Sequence, residues 1–119
     1  RVYDYDRLSG GKPRQLHIAQ SIDVITVPAK SAENSVVHTE KKDDAIQQLI
    51  RCPYYTVYRI DVEHRVETWQ DKPFVLMSVV EGEGTLNGTY LKKGDHLILP
   101  DGYGKVELQG KMQIIASTI

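Results

Sequence analysis

The chain has 119 residues, of which 40% are hydrophobic and 26% charged, the balance expected of one globular domain. Fifteen basic and sixteen acidic residues give a net charge of −1 without any basic block, so the sequence predicts no nucleic-acid partner and no membrane partner. No apolar run approaches the roughly 20 residues of a membrane-spanning helix, and the single Cys52 cannot form an internal disulfide, which favours a reduced, cytoplasmic protein.

The opening segment "RVYDYD" predicts a strand that has begun before the first residue given, because the side chains from Val2 to Asp6 alternate in character with a period of two. The chain starts with Arg1 rather than methionine, and we therefore expect it to be part of a longer protein. The turn residues Gly10, Gly11 and Pro13 follow this strand.

Two short helices are predicted in the N-terminal half. In "QLHIAQSIDVI", Gln15 to Ile25, apolar residues recur at helical spacing. In "KKDDAIQQLIRCP", residues 41–53, four apolar residues form a stripe, two aspartates lie near the start where they suit the helix dipole, and Pro53 prevents continuation.

From Tyr54 onward the pattern indicates strands. In "YYTVYRIDVE", apolar residues alternate with Arg59, Asp61 and Glu63, which predicts a strand with one face in water. "FVLMSVV" is almost continuously apolar, Asn87-Gly88 is a hairpin signal, and "HLILP", "KVEL" and "MQIIAST" complete the set. Strands that recur about every 8–12 residues between turns are typical of a β-sandwich or barrel.

The C-terminal half resembles the cupin superfamily of small jelly-roll barrels, also called double-stranded β-helices. The cupin pattern G-x5-P-x-G-x2-H-x3-N is matched by Gly94, Pro100 and Gly102. Lys105, however, stands at the histidine position and Gln109 at the asparagine position.

The second cupin motif also lacks its metal ligands. If Gly82 is the glycine of its E-x6-G segment, the glutamate position is occupied by Val75, and the preceding "ETWQDK" contains no histidine. A divalent metal needs several grouped donors, and a protonated lysine has no lone pair to give. We therefore expect no metal in this chain, and surface or structural roles for the four scattered histidines, His17, His38, His64 and His96.

A more specific resemblance covers nearly the whole chain. Four segments occur in order, "RVYDYDR", "KPRQLHI", "RCPYYTVY" and "EGEGTLNGTYLKKGDH". Together they resemble the C-terminal part of bacterial, Firmicutes-like type I mannose-6-phosphate isomerases. The resemblance implies interconversion of mannose 6-phosphate and fructose 6-phosphate through an enediol, with one zinc held by a glutamine, a glutamate and two histidines of an N-terminal barrel.

The resemblance implies a mainly β fold, a cupin-type jelly-roll barrel with two short helices in the N-terminal half. Residues 1–53 would pack on a barrel formed by residues 54–119, the two together being one structural domain. This domain would be non-catalytic and metal-free, would complete the active cleft of the zinc barrel, and would show no turnover alone. Arg1 is the one catalytic residue that the resemblance suggests, facing the sugar phosphate in the cleft; a frayed terminal side chain is the alternative.

Two other functions remain open. The chain could be a stand-alone, metal-free cupin-like module that binds a small sugar or sugar phosphate, or a cupin enzyme with an unusual metal site. As a fragment, it could expose an apolar patch and self-associate.

Several further residues have both a functional and an ordinary reading. Lys105 could bind an anion inside the barrel or lie in water at a strand edge. The pairs Glu81/Glu83 and Asp4/Asp6 could act as paired carboxylates or belong to solvated turns and strand ends. Cys52 lacks an activating neighbour and is expected to be inert, and Trp69 with the seven tyrosines could stack on a sugar or pack in the core and rim.

Overall fold

The structure is a computed structural model that describes all residues from Arg1 to Ile119, in two compact units, Arg1–Val36 and Val37–Ile119. The first unit has a small hairpin, whose turn at Gly10 and Gly11 uses positive φ angles that glycine adopts without strain. Its elements are β1 (Leu8–Ser9), β2 (Lys12–Pro13), helix α1 (Ile18–Asp23) and a 3-10 turn (Ala32–Ser35). Neither helical segment is long and apolar enough to cross a membrane.

The second unit is one antiparallel sheet of seven strands. Its strands are β3 (Ala45–Arg51), β4 (Thr56–Val62), β5 (Arg65–Gln70), β6 (Phe74–Leu86), β7 (Thr89–Lys92), β8 (His96–Pro100) and β9 (Gly104–Thr118). Along the main path the order is β3-β4-β9-β6-β7, with β5 added to β9 and β8 added to β6. The sheet therefore does not close on itself by hydrogen bonding, and the closed barrel that the sequence predicted is not confirmed, although the mainly β fold is.

The two long strands β6 and β9 organise this sheet. They pair with each other from Leu76↔Ser117 to Leu86↔Leu108. The first part of β6 also pairs with β8 and its second part with β7, while the first part of β9 pairs with β5 and its second part with β4. Both halves of the sheet are thus built on the same pair of strands.

The strand pair is irregular where these two halves meet. The register shifts between Val79 and Glu81, and Gly82 and Gly110 there have φ angles of +74° and +119°. A Cβ atom on Gly110 would lie 2.6 Å from the Cα of Gly84, closer than real side chains come. Bulges of this kind bend a strand and increase its twist, so the glycines are needed for the change of direction.

One apolar core lies on the inner face of both halves. Its residues come from every strand of the second unit except β3: Ile60, Val62, Val66, Met77, Val79, Leu86, Leu91, Leu99, Val106, Leu108, Met112, Ile114 and Ala116. Burial of these side chains is the main favourable term for the sheet.

The second predicted helix, over residues 41–53, is wrong. Residues Ala45 to Arg51 form the edge strand β3, which pairs with β4 from Ala45↔Asp61 to Arg51↔Thr56. The segment "AIQQLIR" fits a period of two as well as a helical period, and pairing with β4 decides between them because tertiary contacts override a weak local propensity. The first predicted helix is present but shorter, as α1.

The strand predicted over Val2 to Asp6 is also wrong. Tyr5 and Asp6 have positive φ angles of 51° and 55° and form a turn. The N–H of Arg7 donates to the carbonyl of Asp4 across this turn, at 3.0 Å. Alternation over so few residues is a weak signal, since it also occurs in irregular segments.

Asp44 holds the turn between β4 and β5. Its Oδ1 accepts hydrogen bonds from the backbone N–H groups of Glu63, His64 and Arg65, at 2.8 to 2.9 Å. These bonds, led by the one from His64, lower the pKa of Asp44 to about 2 because they stabilise the ionised form. The carboxylate of Asp44 thus accepts the hydrogen bonds of three backbone N–H groups at an exposed turn.

We predict that Asp44→Ala lowers the melting temperature, because three backbone donors lose their acceptor. The pH dependence has a defined sign. The folded pKa of about 2 lies below the reference value of 3.8, so this contribution to stability is complete above pH 3.8 and is lost as the pH falls toward 2. Thermal unfolding followed by circular dichroism over this pH range measures both effects.

Asp44→Asn should keep an acceptor oxygen but lose this part of the pH dependence. Asp43→Asn is the matched control, because the exposed Asp43 has only a 3.9 Å contact with Lys41. Equal pH profiles for the wild type and Asp44→Asn would contradict the assignment.

Candidate functional site

The structure separates the cupin motif position Val75, at the core, from Lys105 and Gln109, which lie on the exposed side of β9. Val75 is partly buried and packs against the apolar core, and Gln109 is exposed, with its amide donating to Glu107. Lys105 points outward, because its neighbour Val106 is 1% exposed in the core. These positions therefore do not converge, and two of the three side chains, valine and a protonated lysine, offer no donor atom.

Lys105 has a clear role on the outer face of β9. Glu67 of β5 lies opposite Glu107 of β9, and such a like-charge pair is unfavourable alone. The Nζ atom of Lys105 lies 2.9 Å from Glu67 and 3.8 Å from Glu107, and Arg65 contacts both carboxylates as well. The hydrogen bond from Lys105 is the largest cause of the lowered pKa of Glu67. Lys105 therefore compensates surface charge and does not enter the core.

The four histidines lie apart. Nδ1 of His64 is 3.2 Å from Oδ2 of Asp44, and Nδ1 of His96 is 2.8 Å from Oγ of Ser78, its cross-strand neighbour. His17 precedes α1 and His38 is an exposed residue outside the strands. No group of three or more histidine, cysteine, aspartate or glutamate side chains is placed to hold a metal ion.

Arg1 belongs to a hydrogen-bonded cluster in the first unit. Its Nη1 donates to the carbonyl of Gln15 at 2.9 Å, its Nε lies 3.6 Å from Asp4, and its own carbonyl accepts the N–H of His17 at 2.7 Å. Arg14 makes a two-point contact with the same Asp4. Arg14, followed by Arg1, lowers the pKa of Asp4, so this carboxylate stays ionised and holds both guanidinium groups. Asp4 and Asp6 are not a carboxylate pair, because Asp4 binds arginine and Asp6 lies in the turn.

The remaining candidates have ordinary surroundings or line cavities. Glu83 accepts a hydrogen bond from Tyr90 at 2.5 Å and lines a surface cavity together with Glu81, beside Lys41 and Lys111. Trp69 is 68% exposed, and its ring lies against Gly104. Three tyrosines, Tyr54, Tyr55 and Tyr58, line one cavity together with the free Cys52.

Asp61 is a buried charge that the sequence did not reveal. It was predicted on the wet face of β4, but it is 1% exposed, because the side chains of Arg59 and Gln113 cover it. Gln113 donates to its Oδ1 at 2.9 Å, and Nε of Arg59 lies 2.8 Å from its Oδ2 without the alignment of a hydrogen bond. The arrangement neutralises a buried carboxylate and has no accessible reacting group.

A scan of family models matches residues 45–119 to "Mannose-6-phosphate isomerase, cupin domain". The chain belongs to this family. It is 42% identical to mannose-6-phosphate isomerase ManA of Bacillus subtilis over 98% of the chain, and 38% identical to a mannose-6-phosphate isomerase of Streptococcus mutans, also over 98%. The crystal structure of the mannose 6-phosphate isomerase from Bacillus subtilis matches all of the chain, with a TM-score of 0.76 and 36% identity.

The chain spans only part of these relatives, 39% and 38% of the two sequences and 40% of the crystal structure. The resemblance drawn from the sequence motifs is thereby confirmed at the level of the family and of the cupin fold.

We predict that Asp61→Ala lowers the free energy of unfolding by about 3 kcal/mol, because Arg59, whose side chain is only 18% exposed, loses its counter-charge. The double variant Arg59→Leu/Asp61→Leu should cost less than the single variants Arg59→Leu and Asp61→Leu added together, since it removes both charges. Urea unfolding of these variants and of Asp61→Ala measures the effects.

Arg65→Leu is the matched control, because Arg65 makes an exposed ion pair with Glu107, and it should cost about 1 kcal/mol or less. If the Asp61 and Arg65 variants lost the same small amount, the buried pair would not have the role given to it here.

Proposed function

We propose that this chain is the C-terminal, non-catalytic cupin domain of a zinc-dependent mannose-6-phosphate isomerase of the cytoplasm. It carries no metal itself and completes the active cleft of an N-terminal zinc barrel. The observation that carries the proposal is the match to mannose-6-phosphate isomerases over almost the whole chain combined with coverage of only 39% of the relative's length. A partner domain of the same polypeptide accounts for the remainder.

The residues at the cupin ligand positions fit this division of labour. Zinc takes nitrogen, sulfur or carboxylate donors in a tetrahedral arrangement. Here one ligand position is an aliphatic residue in the core, Val75, and another is an outward lysine, Lys105, already engaged by two carboxylates. Zinc does not fit these residues, so no step of the isomerisation is assigned to a metal in this chain.

The surface of the first unit also supports the proposal. Helix α1 has no buried residue. Its residues Ile18 and Ile22 are 51% and 63% exposed, and Val24, directly after the helix, is 80% exposed. An apolar helix face of this kind is stable when another surface covers it. We propose that the zinc barrel provides this cover; without it, the same face would favour self-association of the chain.

Arg1 is the residue through which the chain would act on the reaction. Its guanidinium is permanently charged, and a fixed positive charge stabilises the negative oxygen that develops in an enediolate. The contacts with Gln15 and Asp4 hold the side chain in one place, which is what a stabilising charge requires. In this proposal Arg1 orients the sugar phosphate and stabilises the oxyanion, while the proton transfer between C1 and C2 uses groups of the partner barrel.

The first test compares two polypeptides in an isomerase assay with mannose 6-phosphate. The 119-residue chain should show no turnover, and a polypeptide that joins it to the zinc barrel should be active. Turnover by the chain alone would refute the proposal. Tight binding of mannose 6-phosphate by the chain alone would favour the alternative, a stand-alone sugar-phosphate module.

We predict that Arg1→Gln in the joined polypeptide lowers kcat by about 100-fold, the usual effect of removing one oxyanion donor. Arg1→Lys should restore part of the activity, because it keeps the charge but not the two-point geometry. Arg7→Gln, a nearby exposed arginine, is the control and should leave kcat unchanged. An Arg1→Gln enzyme with unchanged kcat would exclude the catalytic role.

A further inference from the structure

A cavity opens at one end of the core of the second unit. It has a volume of about 210 Å³ and mostly apolar walls. The floor is formed by aliphatic side chains of four strands, Ile60, Val75, Met77, Leu99, Val106 and Ala116. An apolar cavity of about 150 Å³ already accommodates benzene, so this one has room for a single ring or a branched aliphatic group.

A wider and more polar opening adjoins this cavity. It has a volume of about 670 Å³, and it shares Tyr58, Lys72 and Thr118 with the inner cavity. Arg51, at the end of β3, lines the opening as well. Two cations therefore surround the entrance to an apolar space. We call the two connected cavities the barrel mouth.

The rim of the barrel mouth is held rigidly. Gln70 is 4% exposed, and its Nε2 donates to the carbonyls of Lys72 and Pro100 at 2.9 and 3.2 Å, while its Oε1 accepts the N–H of Lys72 at 3.1 Å. Thr118 donates to the carbonyl of Phe74 at 2.6 Å. The backbone that carries the Lys72 side chain is thus fixed before any ligand arrives, which lowers the cost of binding.

The two cations of the barrel mouth differ in their surroundings. Lys72 contacts its neighbour Asp71 at 2.9 Å, but Arg51 makes no ion pair in the structure. Arg51 therefore places an unpaired cation beside an apolar interior. A sugar phosphate does not suit this interior, because its hydroxyl groups would lose their water without gaining partners among aliphatic walls.

We propose that the barrel mouth is a binding site for a small amphipathic carboxylate, with its apolar part in the inner cavity and its carboxylate between Arg51 and Lys72. The lining of the proposed site lies within the second unit and includes no residue of the first unit, to which Arg1 belongs. The ligand is a monoanion with one ring or a branched chain, and the tyrosines of the mouth contact its middle part.

The experiment is a titration followed by amide chemical shifts in two-dimensional NMR. The probe is 3-phenylpropionate, and the matched neutral probe is 3-phenylpropan-1-ol. The carboxylate should bind with a Kd on the order of 1 mM, typical of so small a ligand, and should shift amides of the barrel mouth. The alcohol should bind about threefold to fivefold more weakly, because it lacks the exposed charge contact.

Variants separate the charge from the cavity. The double variant Arg51→Gln/Lys72→Gln should remove the preference for the carboxylate. The control is Lys92→Gln, which should leave the preference intact. Lys92 does not line the mouth, and its Nζ atom lies 3.3 Å from Asp95. Ala116→Val adds two methyl groups to the floor and should weaken both probes about tenfold, by analogy with the cost of overpacking. If Ala116→Val fails to fold, Thr68→Ile narrows the same cavity from its partly buried edge.

The proposal is overturned by any of four results. These are no shifts at about 10 mM carboxylate, shifts centred outside the barrel mouth, equal affinity for the carboxylate and the alcohol, and tighter binding of mannose 6-phosphate than of 3-phenylpropionate at the mouth. None of these results bears on the isomerase assay, so failure here leaves the proposed function to be judged separately.

Discussion

The pairing of β6 with β9 is the constraint on which the second unit depends. These two strands run through both halves of the sheet. Every other strand of the sheet pairs directly with one of them, except the edge strand β3, which is attached through β4. The chain must bend both strands at the same level, and the glycines at 82 and 110 allow the close approach of the two backbones there. Since the core residues lie on either side of this bend, the complete core requires the two strands to pair on both sides of it. The fold therefore depends on contacts that are distant in sequence, and local propensity contributes little to it.

The sequence predicted most of the strands after Tyr54, because their faces differ in polarity and turn residues separate them. It missed β5, however, and divided β9 into two strands, "KVEL" and "MQIIAST". Gly94 and Gly102 of the cupin pattern both have positive φ angles, 92° and 70°, so the backbone reason for these residues was visible without a structure. The sequence failed at the edge strand β3, where "AIQQLIR" satisfies two periods and only the pairing with β4 selects one. It failed again at Asp61, whose burial depends on Gln113, a residue 52 positions later in the chain.

The candidate sites also differ in how far local sequence reveals them. Motif spacing showed that Val75 and Lys105 occupy ligand positions without a donor atom, because the cupin pattern specifies which positions to inspect. It could not identify the barrel mouth, whose lining comes from β3, β4, β5, β6, β8 and β9 and has no spacing of its own. The cations at the entrance also follow from the structure alone, since the sequence placed Arg51 within the predicted helix of residues 41–53 and did not single out Lys72.

The lack of donor atoms at the cupin ligand positions and the apolar interior are physically related, because metal ligands and apolar side chains would occupy the same volume. A metal site in the centre of a small β-fold requires polar ligands and their hydrogen-bond partners, and these occupy volume that apolar side chains would otherwise fill. In this chain Val75 and the neighbouring aliphatic residues occupy that volume, so the stability of the sheet comes from packing rather than from ligation. A cavity remains at one end of this interior, beside Arg51 and Lys72. This cavity is the ligand site proposed above.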